Sequence, residues 1–167
     1  MAEAFNDLTL PEDKATRYAA VAEEIAAVLE GEPDRTARMA TVAAMLAASF
    51  DTYFWTGFYV VDPNRDRELV VGPYQGTLGC LRIAFGRGVC GTAALTGQTQ
   101  LAPDVHAFPG HIPCDSRSAS EIVVPVFDAG GALIAVFDVD STTPAAFDAT
   151  DAAWLEQILR AAFAATV

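Results

Sequence analysis

Two apolar segments near the end of the chain restrict the possible folds more than any other part of the sequence. Glu121 to Phe127 and Leu133 to Asp140 consist largely of valine, isoleucine, phenylalanine and other residues that suit strands. The intervening Ala129-Gly130-Gly131 suits a tight turn, so the two segments are predicted to form a β-hairpin. An antiparallel sheet is therefore expected at the centre of the fold.

Helical patterns lie at both ends of the chain. Thr9-Leu10-Pro11-Glu12 has the spacing of a capping box and predicts a first helix that stops at Gly31, while a second helix follows Pro33. Asp148 is predicted to cap the last helix. The remaining predicted elements are strands over Tyr53 to Val61, Glu68 to Val71, Leu78 to Phe85 and Gln98 to Ala102, and a short helix between Gly86 and Gly97. This order predicts an α+β fold with helices on one face of a mostly antiparallel sheet.

The composition indicates one globular domain of an acidic protein. The chain has 167 residues, 52% of them hydrophobic, which is enough for a single core and too few for two domains of typical size. Ten lysines and arginines against 22 aspartates and glutamates give a net charge of −12, which argues against nucleic acid and anionic membranes as partners. No signal peptide or membrane span is apparent, so a cytoplasmic location is expected.

Cys114 lies in a long loop predicted from Pro103 to Ser120. Loops of this length in compact domains are usually functional or disordered, and the segment around Cys114 is too poor in apolar residues to bury the thiol. Cys114 is therefore either a reactive thiol or a solvent-facing cysteine without a function. In a reducing compartment the three cysteines are expected to be buried thiols, metal ligands or redox groups rather than a structural disulfide framework.

Three carboxylates are predicted to meet at one end of the hairpin. Side chains alternate along a strand, so Asp138 and Asp140 share one face with Ile134 and Val136. Glu121 begins the paired strand and is near enough to join them. Mutual repulsion and partial desolvation would raise the pKa values of such a cluster, so at least one carboxyl could keep its proton at neutral pH and donate a hydrogen bond. The alternative is that this end of the strand frays into solvent.

The spacing of the cysteines and histidines supports two other kinds of site less well. Structural zinc sites have paired ligands a few residues apart, whereas the three cysteines here are 10 and 24 residues apart. Only His111 and Cys114 could form one such pair, so no metal is expected. A cysteine hydrolase with His106 or His111 as its base is also conceivable, but an acidic cluster would disfavour its developing oxyanion.

The motifs of the chain resemble those of one known enzyme family. The motifs are Trp55-Thr56-Gly57-Phe58-Tyr59, Gly72-Pro73-Tyr74-Gln75-Gly76, Cys80-Leu81-Arg82-Ile83, Gly86-Arg87-Gly88-Val89-Cys90-Gly91, Asp104-Val105-His106, Phe108-Pro109-Gly110-His111-Ile112, Cys114-Asp115, Ser120-Glu121-Ile122-Val123 and Asp138-Val139-Asp140-Ser141. With these motifs and cysteine spacings, the chain resembles the free methionine-(R)-sulfoxide reductases, enzymes built on a GAF domain. The resemblance implies a single GAF domain over residues 1–167, with helices from both chain ends on one face of the sheet and a loop-covered pocket on the other.

The resemblance also implies a role for each candidate site residue. The implied roles are Cys114 as nucleophile, Cys80 as principal resolving cysteine, Cys90 as accessory thiol, and Glu121, Asp138 and Asp140 as the carboxylates that hold and activate the sulfoxide. Trp55 and Tyr59 would shape the pocket around the methylthio end of the substrate, or they are ordinary core aromatics. Two residues depart from the family's pattern, Pro113 in place of a small residue and Phe137 in place of an aliphatic one.

The implied reaction is the reduction of free L-methionine-(R)-sulfoxide to L-methionine through a cysteine sulfenic acid and an intramolecular disulfide. No bound cofactor is implied. Thioredoxin would restore the thiols as an external reductant, as part of the response to oxidative stress. The alternative is a GAF domain that only binds small molecules or senses redox state, and the helices could support a homodimer.

Overall fold

The computed structural model describes residues 9–112 and 114–164, which form four helices, a short 3-10 helix and six strands. The helices are α1 (Lys14–Val28), α2 (Arg35–Ser49), α3 (Gly88–Thr96) and α4 (Ala149–Phe163). The strands are β1 (Trp55–Val61), β2 (Glu68–Gln75), β3 (Arg82–Ala84), β4 (Gln100–Ala102), β5 (Ser120–Phe127) and β6 (Leu133–Ser141). Pro113 and the two ends of the predicted 1–167 domain lie outside the described residues.

The strands form one antiparallel sheet in the order β3-β2-β1-β6-β5-β4. The predicted hairpin of β5 and β6 lies inside this sheet, with β1 on one side of it and the short β4 on the other. The α+β prediction is therefore confirmed. Within the described residues, none of the helices has the length and apolar character needed to cross a membrane.

Both faces of the sheet are covered. On one face α1, α2 and α4 enclose the larger core, whose fully buried side chains include Tyr18, Leu46, Phe58 and Phe137. On the other face the short α3 and several loops cover a smaller core built around Trp55, Tyr59, Leu69 and Val136. Helices from both chain ends thus share one face, as predicted, and leave the opposite face to loops.

Several predicted element boundaries differ from the structure; for example, the strand predicted to end at Val71 continues to Gln75. Asp13, not Thr9, caps the first helix, because the Asp13 carboxylate accepts the backbone N–H and the hydroxyl of Thr16 at 2.9 and 2.6 Å. The strand predicted from Leu78 to Phe85 shrinks to the three residues of β3, and the residues before it form a loop. That loop carries Cys80, so the error places one of the predicted site residues in the wrong kind of element.

The predicted alternation along β6 is also wrong at Ile134. The pairing of β5 with β6 shifts at its far end, where Val126 pairs with Ala135 but Phe127 pairs with Leu133. Ile134 is the extra residue of this irregularity, so it packs in the larger core beside Ala135, while Val136 lies in the smaller core on the opposite face. The alternation holds from Val136 to the end of the strand, where the two aspartates lie.

Candidate active site

A small pocket lies on the sheet face opposite α1, α2 and α4. Strands β1, β5 and β6 form its floor, and the start of α3 and the loops that carry Leu78 and Cys114 form its walls. The cavity volume is about 40 Å³, enough for a few water molecules. Seven of the eight predicted site residues line it, namely Cys90, Cys114, Glu121, Asp138, Asp140, Trp55 and Tyr59, and the eighth, Cys80, is bonded to Cys114.

Cys80 and Cys114 form a disulfide beside the pocket. Their Cα atoms are 5.4 Å apart, although the residues are separated by 34 positions in the chain. Cys114 is exposed, whereas Cys80 is half-buried. A sulfur atom that solvent can reach is also open to attack by an external thiolate. The fold therefore brings together two distant cysteines, one of which lies at the surface.

Polar contacts join the two loops that carry these cysteines. Thr77 Oγ1 donates to Asp115 Oδ2 at 2.8 Å, and the Thr77 carbonyl accepts Trp55 Nε1–H at 3.0 Å. Arg117 donates to both Asp115 oxygens, at 3.0 and 2.8 Å, and its guanidinium lies 4.7 Å from the centre of the Phe54 ring. Hydrogen bonds from Arg117 and Thr77 hold the pKa of Asp115 well below its usual range. Asp115 is thus an ionised anchor for the Cys114 loop.

The sheet register brings three carboxyl groups together on the pocket floor. Glu121 on β5 lies opposite Asp140 on β6, and Asp138 lies two residues earlier on the same strand. Glu121 is 6% exposed and Asp138 is 4% exposed, while Asp140 is partly exposed. The alternative of a frayed strand end is excluded, because β6 stays paired up to Ser141.

Burial raises the pKa values of all three carboxyl groups. Desolvation is the largest cause for Glu121, followed by the negative charges of Asp138 and Asp140. Desolvation and the charge of Asp140 also raise the pKa of Asp138 well above its usual range. The pKa of Asp140 rises to about 6, mainly through burial, although a hydrogen bond from Ser118 opposes the rise. The cluster therefore combines Asp140, whose pKa of about 6 leaves it mostly ionised at neutral pH, with two more deeply buried carboxyl groups whose pKa values are raised well above their usual range.

Cys90 is a buried free thiol in contact with this cluster. Its Sγ donates to Glu121 Oε1 at 3.8 Å. Burial, followed by the charges of Asp138 and Glu121, raises the pKa of Cys90 well above its usual range. Ligand atoms of Cys90, Glu121 and Asp138 lie within 4.8 Å of one another, so these residues could hold a cation if they lost their protons. With its proton retained, Cys90 is a weak nucleophile.

Trp55 and Tyr59 serve both the core and the pocket. Their rings stack with centroids 5.5 Å apart, and Tyr74 stacks on Trp55 at 5.0 Å. Both side chains are buried, and both line the cavity. Burial, followed by the charge of Asp138, raises the pKa of Tyr59 well above its usual range, so its hydroxyl stays protonated. The two interpretations of these aromatics, as core residues and as pocket walls, are therefore compatible.

The sequence interpretation missed the positive end of the pocket. Arg87 precedes α3, and Gly88 and Val89 begin that helix; all three line the cavity. Arg87 is exposed and makes no ion pair within the described part of the chain. The N–H groups of Gly86 and Arg87 donate to the carbonyls of Gly91 and Ala84 at 2.7 and 3.1 Å, so the N–H groups that suit an anion are those of the first turn of the helix itself. The Gly86-Arg87-Gly88 motif in the sequence could have indicated this feature.

Neither histidine is paired with Cys114. The rings of His106 and His111 pack edge to face with centroids 6.0 Å apart. Burial, followed by the neighbouring His106, lowers the pKa of His111. In the described residues neither imidazole makes a hydrogen bond with Cys114, so the geometry does not support the cysteine hydrolase alternative.

Comparisons with known proteins agree on the kind of chain this is. Residues 31–165 match the GAF domain family. The free methionine-R-sulfoxide reductase of Escherichia coli is 40% identical over 147 residues, which cover 88% of this chain and 87% of that protein. GAF domain-containing protein A of Dictyostelium discoideum is 46% identical over 147 residues, with 88% and 90% covered. The X-ray structure of the free methionine-R-sulfoxide reductase from Neisseria meningitidis in complex with its substrate is 46% identical with a TM-score of 0.88, covering 94% of this chain and 93% of that chain.

Proposed function

This chain belongs to the free methionine-R-sulfoxide reductases of the GAF domain family, and we propose that it reduces free L-methionine-(R)-sulfoxide through a disulfide between Cys114 and Cys80. It is accordingly an oxidoreductase. The observation that carries the proposed mechanism is the position of the disulfide, directly beside a pocket whose floor holds buried carboxyl groups with raised pKa values.

The carboxyl cluster supplies what a sulfoxide needs in order to react. A sulfoxide oxygen is a strong hydrogen-bond acceptor, and attack at sulfur is easier when an acid protonates that oxygen. Glu121 and Asp138 have raised pKa values and lie on the pocket floor, so either can donate this proton at neutral pH. Asp138 Oδ1 has no hydrogen-bond partner among the described residues and is free to bind the substrate.

The covalent steps follow from the positions of the two cysteines. The Cys114 thiolate attacks the substrate sulfur, the oxygen is transferred to Cys114, and methionine leaves with its sulfur reduced. The Cys80 thiolate then attacks the Cys114 sulfenic acid, which releases water and forms the Cys80–Cys114 disulfide. Cys90 is less suited to this second attack, because burial and the neighbouring carboxyl groups raise its pKa. We assign it an accessory role.

The two charged ends of the pocket favour a free amino acid over a residue in a peptide. The exposed Arg87 and the start of α3 suit the α-carboxylate of the substrate. Asp140, with a pKa of about 6, is ionised at neutral pH and suits the α-ammonium group. Trp55 and Tyr59 would contact the methylthio end. A peptide-bound methionine sulfoxide lacks both charges and would bind less well.

The reaction needs an external reductant. Each turnover converts two thiols to a disulfide, and a dithiol protein such as thioredoxin can reverse this by exchange. The half-exposed disulfide of this chain is accessible to such a protein. The reducing cytoplasm is the compartment that provides it, so we place the enzyme there.

Methionine release from the two epimers tests the proposed function. Purified protein is incubated with dithiothreitol and either free L-methionine-(R)-sulfoxide or the S epimer, and free methionine is quantified for wild type and Cys114→Ser. Release from the R epimer alone, lost in Cys114→Ser, is the expected result. Binding of the sulfoxide without any methionine release from wild type would instead indicate a ligand-binding GAF domain.

A further inference from the structure

Two leucines beside the disulfide are the most exposed large hydrophobic side chains of the described residues. Leu78 is 77% exposed and Leu81 is 69% exposed, and both lie in the loop between β2 and β3 that carries Cys80. The other exposed large hydrophobics are Leu95, Leu101 and Phe127, at 51%, 41% and 39%. We call Leu78 and Leu81 the leucine patch.

The fold does not explain this exposure. The Leu81 carbonyl accepts the Val71 N–H at 3.0 Å, so the backbone is held in place while the side chain faces solvent. Leu78 borders the substrate pocket, but Leu81 does not line it. Exposed apolar side chains that are grouped together mark interaction sites more often than scattered ones do. The exposure of Leu81 is therefore not accounted for by the pocket.

The position of the patch identifies its partner. Leu78 and Leu81 are two and one residues from Cys80, so their Cα atoms are within about 8 Å of Cys80. A specific protein interface covers about 800 Å² on each partner, which extends well beyond that distance. An interface of this size centred on the disulfide extends past the backbone positions of both exposed leucines. We propose that the leucine patch is the docking surface for a dithiol protein of the thioredoxin type, an inference that rests on the proposed function of the disulfide.

The charges near the patch favour an apolar contact. Arg82, which follows Leu81, is paired with Asp62 and Glu68 at 2.6 and 2.7 Å. On the other cysteine loop, Arg117 is paired with Asp115 at 2.8 Å. Arg65 also lies 3.6 Å from Glu68, so the arginines and carboxylates of these groups are equal in number and offer a partner little net attraction. Burial of the leucines is then the main source of affinity.

The exchange reaction has a defined direction on this surface. The partner's thiolate attacks Sγ of Cys114, the more exposed of the two cysteines, the S–S bond breaks, and Cys80 leaves as a thiolate that takes up a proton. The partner's second thiolate then attacks the partner's first sulfur in the mixed disulfide, and Cys114 leaves as a thiolate. The partner ends as a disulfide, and two electrons have passed to this chain.

Reduction of the oxidised protein tests the docking surface without any sulfoxide. Oxidised wild type, Leu81→Ser and Leu95→Ser are each mixed with thioredoxin, thioredoxin reductase and NADPH, and the rate of NADPH loss is measured as thioredoxin is varied. Leu95→Ser is the matched control, an exposed leucine near the far end of α3. Reduction by dithiothreitol is measured in parallel, because a small thiol needs no docking surface.

We expect the thioredoxin concentration for half-maximal rate to rise at least about fivefold in Leu81→Ser, with the dithiothreitol rate unchanged and Leu95→Ser equal to wild type. Equal reduction of Leu81→Ser and wild type by thioredoxin would overturn the proposal, as would a matching loss with dithiothreitol. Failure of thioredoxin to reduce wild type that dithiothreitol does reduce would also overturn it. A wild-type dimer in sedimentation that Leu81→Ser abolishes would assign the patch to a second copy instead. This reduction assay contains no sulfoxide, so its result does not depend on substrate turnover. A lack of methionine release in the separate experiment with the two epimers would refute only the proposed function.

Discussion

Asp138 occupies a position where a carboxyl group costs stability. It is 4% exposed, one of its oxygens has no hydrogen-bond partner in the described structure, and its pKa is raised by burial and by Asp140. A raised pKa in the folded state means that the unfolded chain loses this proton more easily. Asp138 therefore destabilises the fold increasingly as the pH rises above the pKa of an unfolded aspartate, until the folded carboxyl also ionises.

Replacing Asp138 by asparagine should separate stability from activity. We expect Asp138→Asn to unfold at nearly the same urea concentration as wild type at pH 4, but at a clearly higher urea concentration than wild type at pH 8. Methionine release should fall at least about a hundredfold, because an acid has been lost. Asp66→Asn, in an exposed loop, is the control. An unchanged stability difference between pH 4 and pH 8 would contradict the buried, proton-retaining state of Asp138.

Cys80 should be needed for turnover but not for the first chemical step. A reduced Cys80→Ser protein is expected to release about one methionine per chain and then to hold Cys114 as a sulfenic acid. A sulfenic acid reagent followed by mass spectrometry would detect this state. Cys90→Ser serves as the control and should keep turning over with thioredoxin. Full turnover by Cys80→Ser would show that Cys90 resolves the sulfenic acid.

At the scale of the elements, polar contacts at the start of α4 join this helix to α1. Asp151 in the first turn of α4 is 2% exposed, and it accepts hydrogen bonds from Tyr18 at 2.8 Å, Lys14 at 2.7 Å and the Asp148 N–H at 2.8 Å. Tyr53 joins this network through the Tyr18 hydroxyl. The network ties α1 to α4 and uses the only lysine of the chain.

Removing the buried carboxylate should loosen this pair of helices. We expect Asp151→Ala to lower the free energy of unfolding by about 2 to 4 kcal/mol, because the Tyr18 hydroxyl and the Asp148 N–H lose a charged acceptor. Asp13→Ala removes an exposed cap and should cost about 1 kcal/mol. Urea unfolding of the two variants at pH 7 makes the comparison. An equal loss in both would mean that the buried network contributes no more than an ordinary cap.

The start of α3 should bind the substrate rather than drive its chemistry. We expect Arg87→Gln to raise the KM for free methionine-(R)-sulfoxide about tenfold and to leave kcat within about twofold. The reason is that a contact with the α-carboxylate stabilises the bound substrate and the transition state equally. Arg160→Gln, on the exposed face of α4, should change neither constant. A fall in kcat with unchanged KM would contradict this assignment.

The elements that the sequence predicted correctly are those with a strong local pattern. The hairpin of β5 and β6 and the last helix follow from apolar periodicity and turn residues. The hairpin brings Glu121, Asp138 and Asp140 together. The Cys80 loop was missed, because Leu78 and Leu81 look like strand residues although their side chains face solvent. A local sequence pattern cannot show that an apolar side chain faces solvent.

At the scale of the whole molecule, the fold separates stability from chemistry. The face covered by α1, α2 and α4 holds the larger core, while the other face holds the pocket, the carboxyl cluster and the disulfide. The pairing of Cys80 with Cys114 could not be predicted from residue spacing, since 34 positions separate them and only the family resemblance suggested it. Long-range contacts of this kind arise from the order of strands in the sheet, which a local pattern does not specify.

The most direct test of the whole account is a single turnover of the fully reduced enzyme. The reduced protein is mixed with one equivalent of free L-methionine-(R)-sulfoxide in the absence of reductant, methionine is quantified, and disulfide-linked peptides are mapped by mass spectrometry. We predict about one methionine per chain and a Cys80–Cys114 disulfide, with Cys90 remaining a free thiol. No methionine, or methionine accompanied by a disulfide that leaves Cys114 free, would contradict the mechanism.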